Sequence, residues 1–226
     1  MSARSHRVAQ MSKPSNSLDE PPTSLEPERW AILALLPVSA TIGFYLLPDS
    51  FQRHTFVQFL PQLAGYLGLG LWAAQNTNII RHLGIQAVGI RSGIIWGSFT
   101  GLLLGMINTG IILWIVPALG HDILFLKDTP HAQIPIAVMI PWFIIAIAIT
   151  VELNFRAFLL GRLVAILTPP QRPTESQLWT SQHTWSIFAI YLSAFTFAFD
   201  PFMVETFQHL HWIALWDGLI WGGIWT

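Results

Sequence analysis

A chain of 226 residues that is 53% hydrophobic and only 10% charged, with a mean hydropathy of +0.52, has too few charges to coat a globule in water. Soluble domains carry about 25% charged residues, so an ordinary soluble domain is excluded, and lipid is expected to cover much of this chain. The net charge of −1 gives no basis for nucleic-acid binding, and the lack of cysteine excludes disulfides, thiolate metal sites and a cysteine nucleophile.

Met1 to Arg29 holds Ser, Pro, Arg and Glu and no long apolar run. With no apolar core before Trp30 it does not read as a cleavable secretory signal. It cannot bury enough apolar surface to offset chain entropy, so a disordered, cytoplasmic tail is expected over residues 1–29. From residue 30 to 226 the chain reads as one transmembrane helical domain. A spanning helix needs about 20 mostly apolar residues. The first candidate runs from Trp30 to Leu47 and stops at Pro48-Asp49. The second covers Phe56 to about Ala74, and the third about Ser92 to Leu119. The fourth begins near Ile134 and stays apolar, with three charged interruptions, to about Leu167. A short fifth runs from about Trp185 to Phe199, and a sixth from His211 to the last residue, Thr226. The fold class expected is therefore all-α, a polytopic bundle of about six membrane segments.

Loop charges orient it. With the N-terminus in the cytoplasm, Arg4, Arg7, Lys13, Arg29, Arg81, Arg91, Arg162 and Arg172 fall inside, against Arg53 and Lys127 outside. Eight against two is the bias expected of a cytoplasmic N-terminus, and the expected location is a multi-pass protein of a bacterial inner membrane. Gly65-Tyr-Leu-Gly-Leu-Gly70 and Gly101-Leu-Leu-Leu-Gly105 place small residues on helix faces, and the second spacing predicts close helix approach. No solenoid repeat and no phosphate-binding glycine loop is present, and no cofactor is expected.

Charges within the spans are the functional lead, because each costs about 2.5–3.5 kcal/mol at mid-bilayer and must face the bundle interior or a cavity. Glu152 and Arg156 lie four residues apart on the fourth segment and share a helix face, so the two can pair. Asn154 lies on another face. Either the pair fixes the helix position, or the carboxylate handles protons or activates water while Arg156 orients it. Arg162, nearer the cytoplasmic end, is expected to snorkel to the surface. Asp217, on the last segment, is expected to be structural, pairing with Arg156 or reaching a polar cavity. Asp200 and Glu205 belong to an outer loop and are expected to be wet. His183, His209 and His211 sit at segment ends and read as solvated or capping, so no metal site is expected. Trp212 and Trp216 share one face and Trp221 and Trp225 lie roughly opposite, the pattern of lipid and interface contacts.

The run Val151-Glu-Leu-Asn-Phe-Arg-Ala-Phe-Leu-Leu-Gly-Arg162 resembles the first motif of the CPBP family, the CAAX-prenyl-protease and bacteriocin-processing (Abi) intramembrane proteases, which reads Glu-Glu-x-x-x-Arg. Glu152, Phe155, Arg156, Phe158 and Leu159 match it. Leu83-Gly-Ile-Gln-Ala-Val-Gly-Ile-Arg91, Trp96-Gly-Ser-Phe-Thr-Gly101 and Asp217-Gly-Leu-Ile-Trp-Gly-Gly-Ile-Trp-Thr226 look like stretches that precede its motifs, so the likeness covers about residues 80–226. The resemblance implies an all-helical fold with a polar cavity open to the cytoplasm, in which a Glu and a His activate water for peptide hydrolysis. This chain departs from that set: Val151 stands at the first Glu, Phe199 stands at the His of the second motif Phe-x-x-x-His, and the final His-x-x-x-Asn has no counterpart before Thr226.

Three functions follow in order. The first is a catalytically degenerate member that acts as a binding, assembly or accessory subunit, with the lipid bilayer and a membrane protein as partners. The second is an active CAAX-type endopeptidase on a prenylated or peptide substrate, with Glu152 and Arg156 catalytic. The third is a transporter or proton conductor.

Overall fold

The computed structural model describes residues 28–85, 89–167 and 175–225, and every regular element among them is helical. After a 3₁₀ turn at Ala31–Ala34 come α1 (Leu35–Tyr45), α2 (Asp49–Gln52), α3 (Thr55–Gln58), α4 (Leu60–Gln75) and α5 (Ile79–His82). Two long helices follow, α6 (Ile90–Ala118) and α7 (Ile136–Leu167). The chain closes with α8 (Glu175–Ala198), α9 (Pro201–Phe207) and α10 (His211–Trp225). The expected segments coincide with these elements to within a few residues, except that α8 begins at Glu175, ten residues before the expected start of the fifth segment, and several boundaries carry a local stop. Pro48 ends the first, Pro135 precedes α7, and Asp200 caps α9 by accepting from the backbone N–H of Phe202 and Met203, with Pro201 in the first turn.

Among the described residues two helices, α6 and α7, are long and apolar enough to cross a membrane, and a third crossing follows if Thr184–Ala198 and Pro201–Ile224 make one bent span. That is fewer than six because the other apolar helices are short. At 16 residues α4 rises about 24 Å against a hydrocarbon thickness of about 30 Å.

The bundle is built on small residues. α8 and α10 run antiparallel in close contact, and a methyl group added at Gly218 or Gly222 would come within 3.0 Å of Ala194 or 2.8 Å of Ile190. α1 and α4 pack against each other, with the Leu33 carbonyl 2.9 Å from where a Cβ on Gly68 would stand. The core gathers on the second half of α7, where Phe155, Phe158, Leu159, Leu160 and Leu163 are buried among Ala34, Trp72 and Ala189. The first half of the same helix is open: Ile136, Val138, Ile140 and Trp142 are exposed. α6 is equally open along most of its length, with Trp96, Phe99, Leu102 and Met106 outward. The close approach expected at Gly101 and Gly105 is not made among the described residues. Gly101 meets only the edge of Trp221, at 3.8 Å, and Gly93, Gly97 and Gly105 face open space.

α7 carries two widened stretches in which the backbone bonds π-helically, Trp142–Ala148 and Glu152–Leu160. The first follows Pro141, which lacks a donor for the helix ladder. The second contains the Glu152–Arg156 pair, and π stretches inside α-helices gather at functional sites.

Candidate functional site

Three of the polar residues singled out from the sequence come together. Glu152 and Arg156 are in direct contact, the guanidinium Nη1 donating to carboxylate Oε1. Their exposures differ: the Arg156 side chain is buried, whereas 51% of the Glu152 side chain is open. Arg156 reaches inward toward the Phe197 ring, 5.8 Å from its centroid, which leaves the carboxylate at the rim. Arg156 is also near enough to attract the carboxylate of Asp217.

Asp217 itself is held by a residue that carried no signal in the sequence. Asn108 of α6 donates its amide N–H to both carboxylate oxygens of Asp217, at 3.0 and 2.8 Å. An amide on one span and a carboxylate on another thus join α6 to α10. A lone Asn in an apolar helix has no spacing pattern that announces its partner. Of the two arrangements expected for Asp217, the direct ion pair with Arg156 is not made among the described residues; Asn108 donates to the carboxylate instead.

Asn154, expected on another face, is buried against Gly65 of α4, and neither its amide nitrogen nor its carbonyl oxygen has a hydrogen-bond partner among the described residues. Beside Arg156 a void of about 10 Å³ is lined by Phe155, Ser193, Phe197, Gly218 and Gly222. That is room for a single water. The two positions at which the family motifs would place a Glu and a His are apolar here in space as in sequence. Val151 packs at the edge of the core, and the Phe199 ring lies against Phe195 and His211 at centroid distances of 5.7 and 5.3 Å. Among the described residues no group of three or more His, Cys, Asp and Glu side chains could hold a metal ion.

Other expectations change. Arg162 does not snorkel. It is 4% exposed, paired with Glu28, stacked 4.5 Å over the Trp72 ring, and bonded to the His82 carbonyl at 2.6 Å. Glu28 also accepts from the Trp72 indole at 2.8 Å, and Arg29 exchanges backbone bonds with the Asn76 side chain. The last two residues of the expected tail therefore belong to the folded body, and residues 1–27 lie outside the described residues. Arg172 and Thr226 lie outside them too, as does the His183 side chain. Asp200 is not wet: it is 1% exposed, accepts from Gln62 at 2.9 Å, and caps α9. Glu205 is exposed, as expected. His209 stacks on His121 at 5.0 Å instead of standing alone in solvent, and the His211 ring meets the Gln208 carbonyl, a local cap. Trp212 and Trp216 are exposed, while Trp221 turns toward α6.

What this arrangement offers chemically is a half-open carboxylate oriented by a buried guanidinium, set midway along the most apolar helix of the chain. Such a group can accept a hydrogen bond or a cation delivered from the side. No family model matches this chain, and no curated protein or solved structure matches it.

Proposed function

We propose that this chain is a multi-pass membrane protein that binds rather than cuts, an accessory or assembly subunit of a membrane complex. The observation that carries the reading is the Glu152 carboxylate, half open at mid-span beside helix faces that none of the described residues covers. An exposed carboxylate in hydrocarbon is costly, so a donor from a partner lowers the energy of the complex relative to the free protein. The partner argued for is a transmembrane helix of another protein with a Lys, Arg or hydrogen-bonding side chain at mid-span. It is received along the open faces of α6 and α7, where Gly93, Gly97 and Gly105 permit close backbone approach.

The likeness of Glu152–Arg156 to the CPBP motif supports a CPBP-like architecture, and Val151 and Phe199 at the motif positions support a degenerate one. A six-pass topology with a cytoplasmic N-terminus in a bacterial inner membrane accords with the loop charges. The grouping of Glu28, Arg162 and His82 at one end and Tyr45, Gln62 and Asp200 at the other is what alternating passes require. The chain has no native cysteine, so single substitutions Asn78→Cys and Ser50→Cys, labelled by an impermeant maleimide in right-side-out vesicles, test it. Labelling at Ser50→Cys alone is expected, and the reverse overturns the orientation.

The functional test is purification in mild detergent of wild type and Glu152→Gln. A stoichiometric companion with a transmembrane helix, weakened about tenfold by the substitution, is expected; tenfold corresponds to about 1.4 kcal/mol. A single species under several detergents contradicts the reading. The endopeptidase reading is favoured by the oriented carboxylate itself. Peptide cleavage in vesicles that is lost on Glu152→Ala would replace the binding reading with it.

A further inference from the structure

At the end of the bundle opposite Arg162, a cavity of about 270 Å³ opens between the end of α1, the short helices α2 and α3, and α9. It is lined by Tyr45, Asp49, Gln52, Arg53, Gln58 and Glu205, with the Phe44 ring against its base. Its frame is fixed from several sides. Gln58 donates to the Gln52 carbonyl at 3.1 Å, Gln52 donates to the Leu47 carbonyl at 2.7 Å, and Tyr45 donates to the Phe199 carbonyl at 2.9 Å. The charged groups are different. Among the described residues Asp49, Arg53 and Glu205 make no ion pair with one another or with any other side chain. Two carboxylates and one guanidinium thus face one polar cavity with their charges unspent.

The setting adds a second constraint. The same segment carries Leu46, Phe51 and Phe56 outward, Phe56 at 69% exposure, and Trp212 is exposed at the start of α10. Aromatic and aliphatic side chains held outward beside a charged cavity, at the end of apolar helices, fit the boundary between headgroups and acyl chains. The volume lies just under the ~300 Å³ at the small end of ligand sites. That suits an occupant the size of a headgroup.

We infer that the cavity formed by Tyr45, Asp49, Gln52, Arg53 and Glu205 is a binding site for the phosphoethanolamine headgroup of a membrane phospholipid. Arg53 takes the phosphate as a charge-assisted fork. Asp49 and Glu205 accept from the primary ammonium, whose N–H donors a choline headgroup lacks. The acyl chains run down past Leu46 and Phe56. The inference rests on the membrane location of the chain and is independent of the partner at Glu152.

The test is native mass spectrometry of the full chain released from nanodiscs of equal parts phosphatidylethanolamine, phosphatidylcholine and phosphatidylglycerol. Retention of phosphatidylethanolamine at least fivefold above the other two is expected. It should fall to the level of the others in Arg53→Gln and in the double variant Asp49→Asn with Glu205→Gln, and stay unchanged in Arg81→Gln, an exposed cation elsewhere on the surface. These are surface substitutions, and circular dichroism of each variant separates lost binding from lost folding. Equal retention of the three lipids, or retention that ignores the substitutions, overturns the site. Displacement of the lipid by soluble O-phosphoethanolamine at comparable concentration would show a site for the free headgroup and overturn its assignment to a membrane lipid.

Discussion

The two halves of α7 have opposite surroundings, and the half that packs against the rest of the chain is the one that carries Asn154, Arg156 and Arg162. From Ile136 to Trp142 the side chains stand open, while from Asn154 to Leu163 each one is buried. The same contrast separates α6 from the α8–α10 pair. Lipid and protein interior are equally apolar, so the uncharged first half can face either, whereas Arg156 and Arg162 need an interior. The neighbours of the two regions differ as well. The buried half meets the small residues Gly65 and Gly68 of α4, and α8 meets Gly218 and Gly222, whereas Gly93, Gly97 and Gly105 of α6 have no neighbour seated on them among the described residues. Glu152 stands at the junction of the two regimes, which is why it is half open.

This contrast can be broken by substitution, most severely at the closed end of the bundle. Arg162→Ala leaves the Glu28 carboxylate without its cation and removes the stack on Trp72. A loss of about 3–5 kcal/mol is expected, read as an early unfolding transition in detergent, with partial rescue by Arg162→Lys. Next come the glycines. Gly68→Leu drives a side chain onto the Leu33 carbonyl and should cost about 3 kcal/mol. Gly105→Leu meets nothing among the described residues and should stay within about 0.5 kcal/mol. Equal effects in thermal unfolding would erase the distinction between the two regions.

Smaller effects sharpen it. Asn108→Leu removes the bond to Asp217 that ties α6 to the bundle. A cost of about 0.6–1.7 kcal/mol is expected, the range of interhelical hydrogen bonds in membranes. Protease sensitivity in the α6–α7 connection should rise more than global stability falls. Last is Glu152→Gln, which keeps a side-chain acceptor on the buried Arg156 guanidinium but removes the charge that offsets it, so it should cost the isolated protein less than Arg162→Ala does.

The positions of the helices were readable in the sequence because apolar runs and their Pro and Asp boundaries are local signals. Pro48, Pro135 and the Asp200-Pro201 cap mark ends that need no tertiary context. The Glu152–Arg156 contact was readable for the same reason, since four residues on a helix bring two side chains together. Which face looks inward was not. With so few charges, one side of these helices reads much like the other. Arg162 illustrates the difficulty: its burial depends on Glu28, far away in the chain, and on Trp72, both brought to it only by the packing of the turn Ala31–Ala34 and of α4 against α7. Asp200 was read as loop and is core because Gln62 of α4 reaches it. The Asn108–Asp217 bond spans two helices with no spacing to reveal it. The glycines that seat α10 on α8, Gly218 and Gly222, do stand four apart in the sequence, and that spacing was the available signal.

The most direct measurement places a photoreactive phenylalanine derivative at Ile140, in the open half of α7, and separately at Phe158, in its buried half, and irradiates cells making the full chain. A discrete adduct with another membrane protein from Ile140, diminished by Glu152→Gln, and none from Phe158 is expected. Lipid adducts alone from Ile140, or the same protein adduct from both positions, would contradict a docking face at the open half of α7.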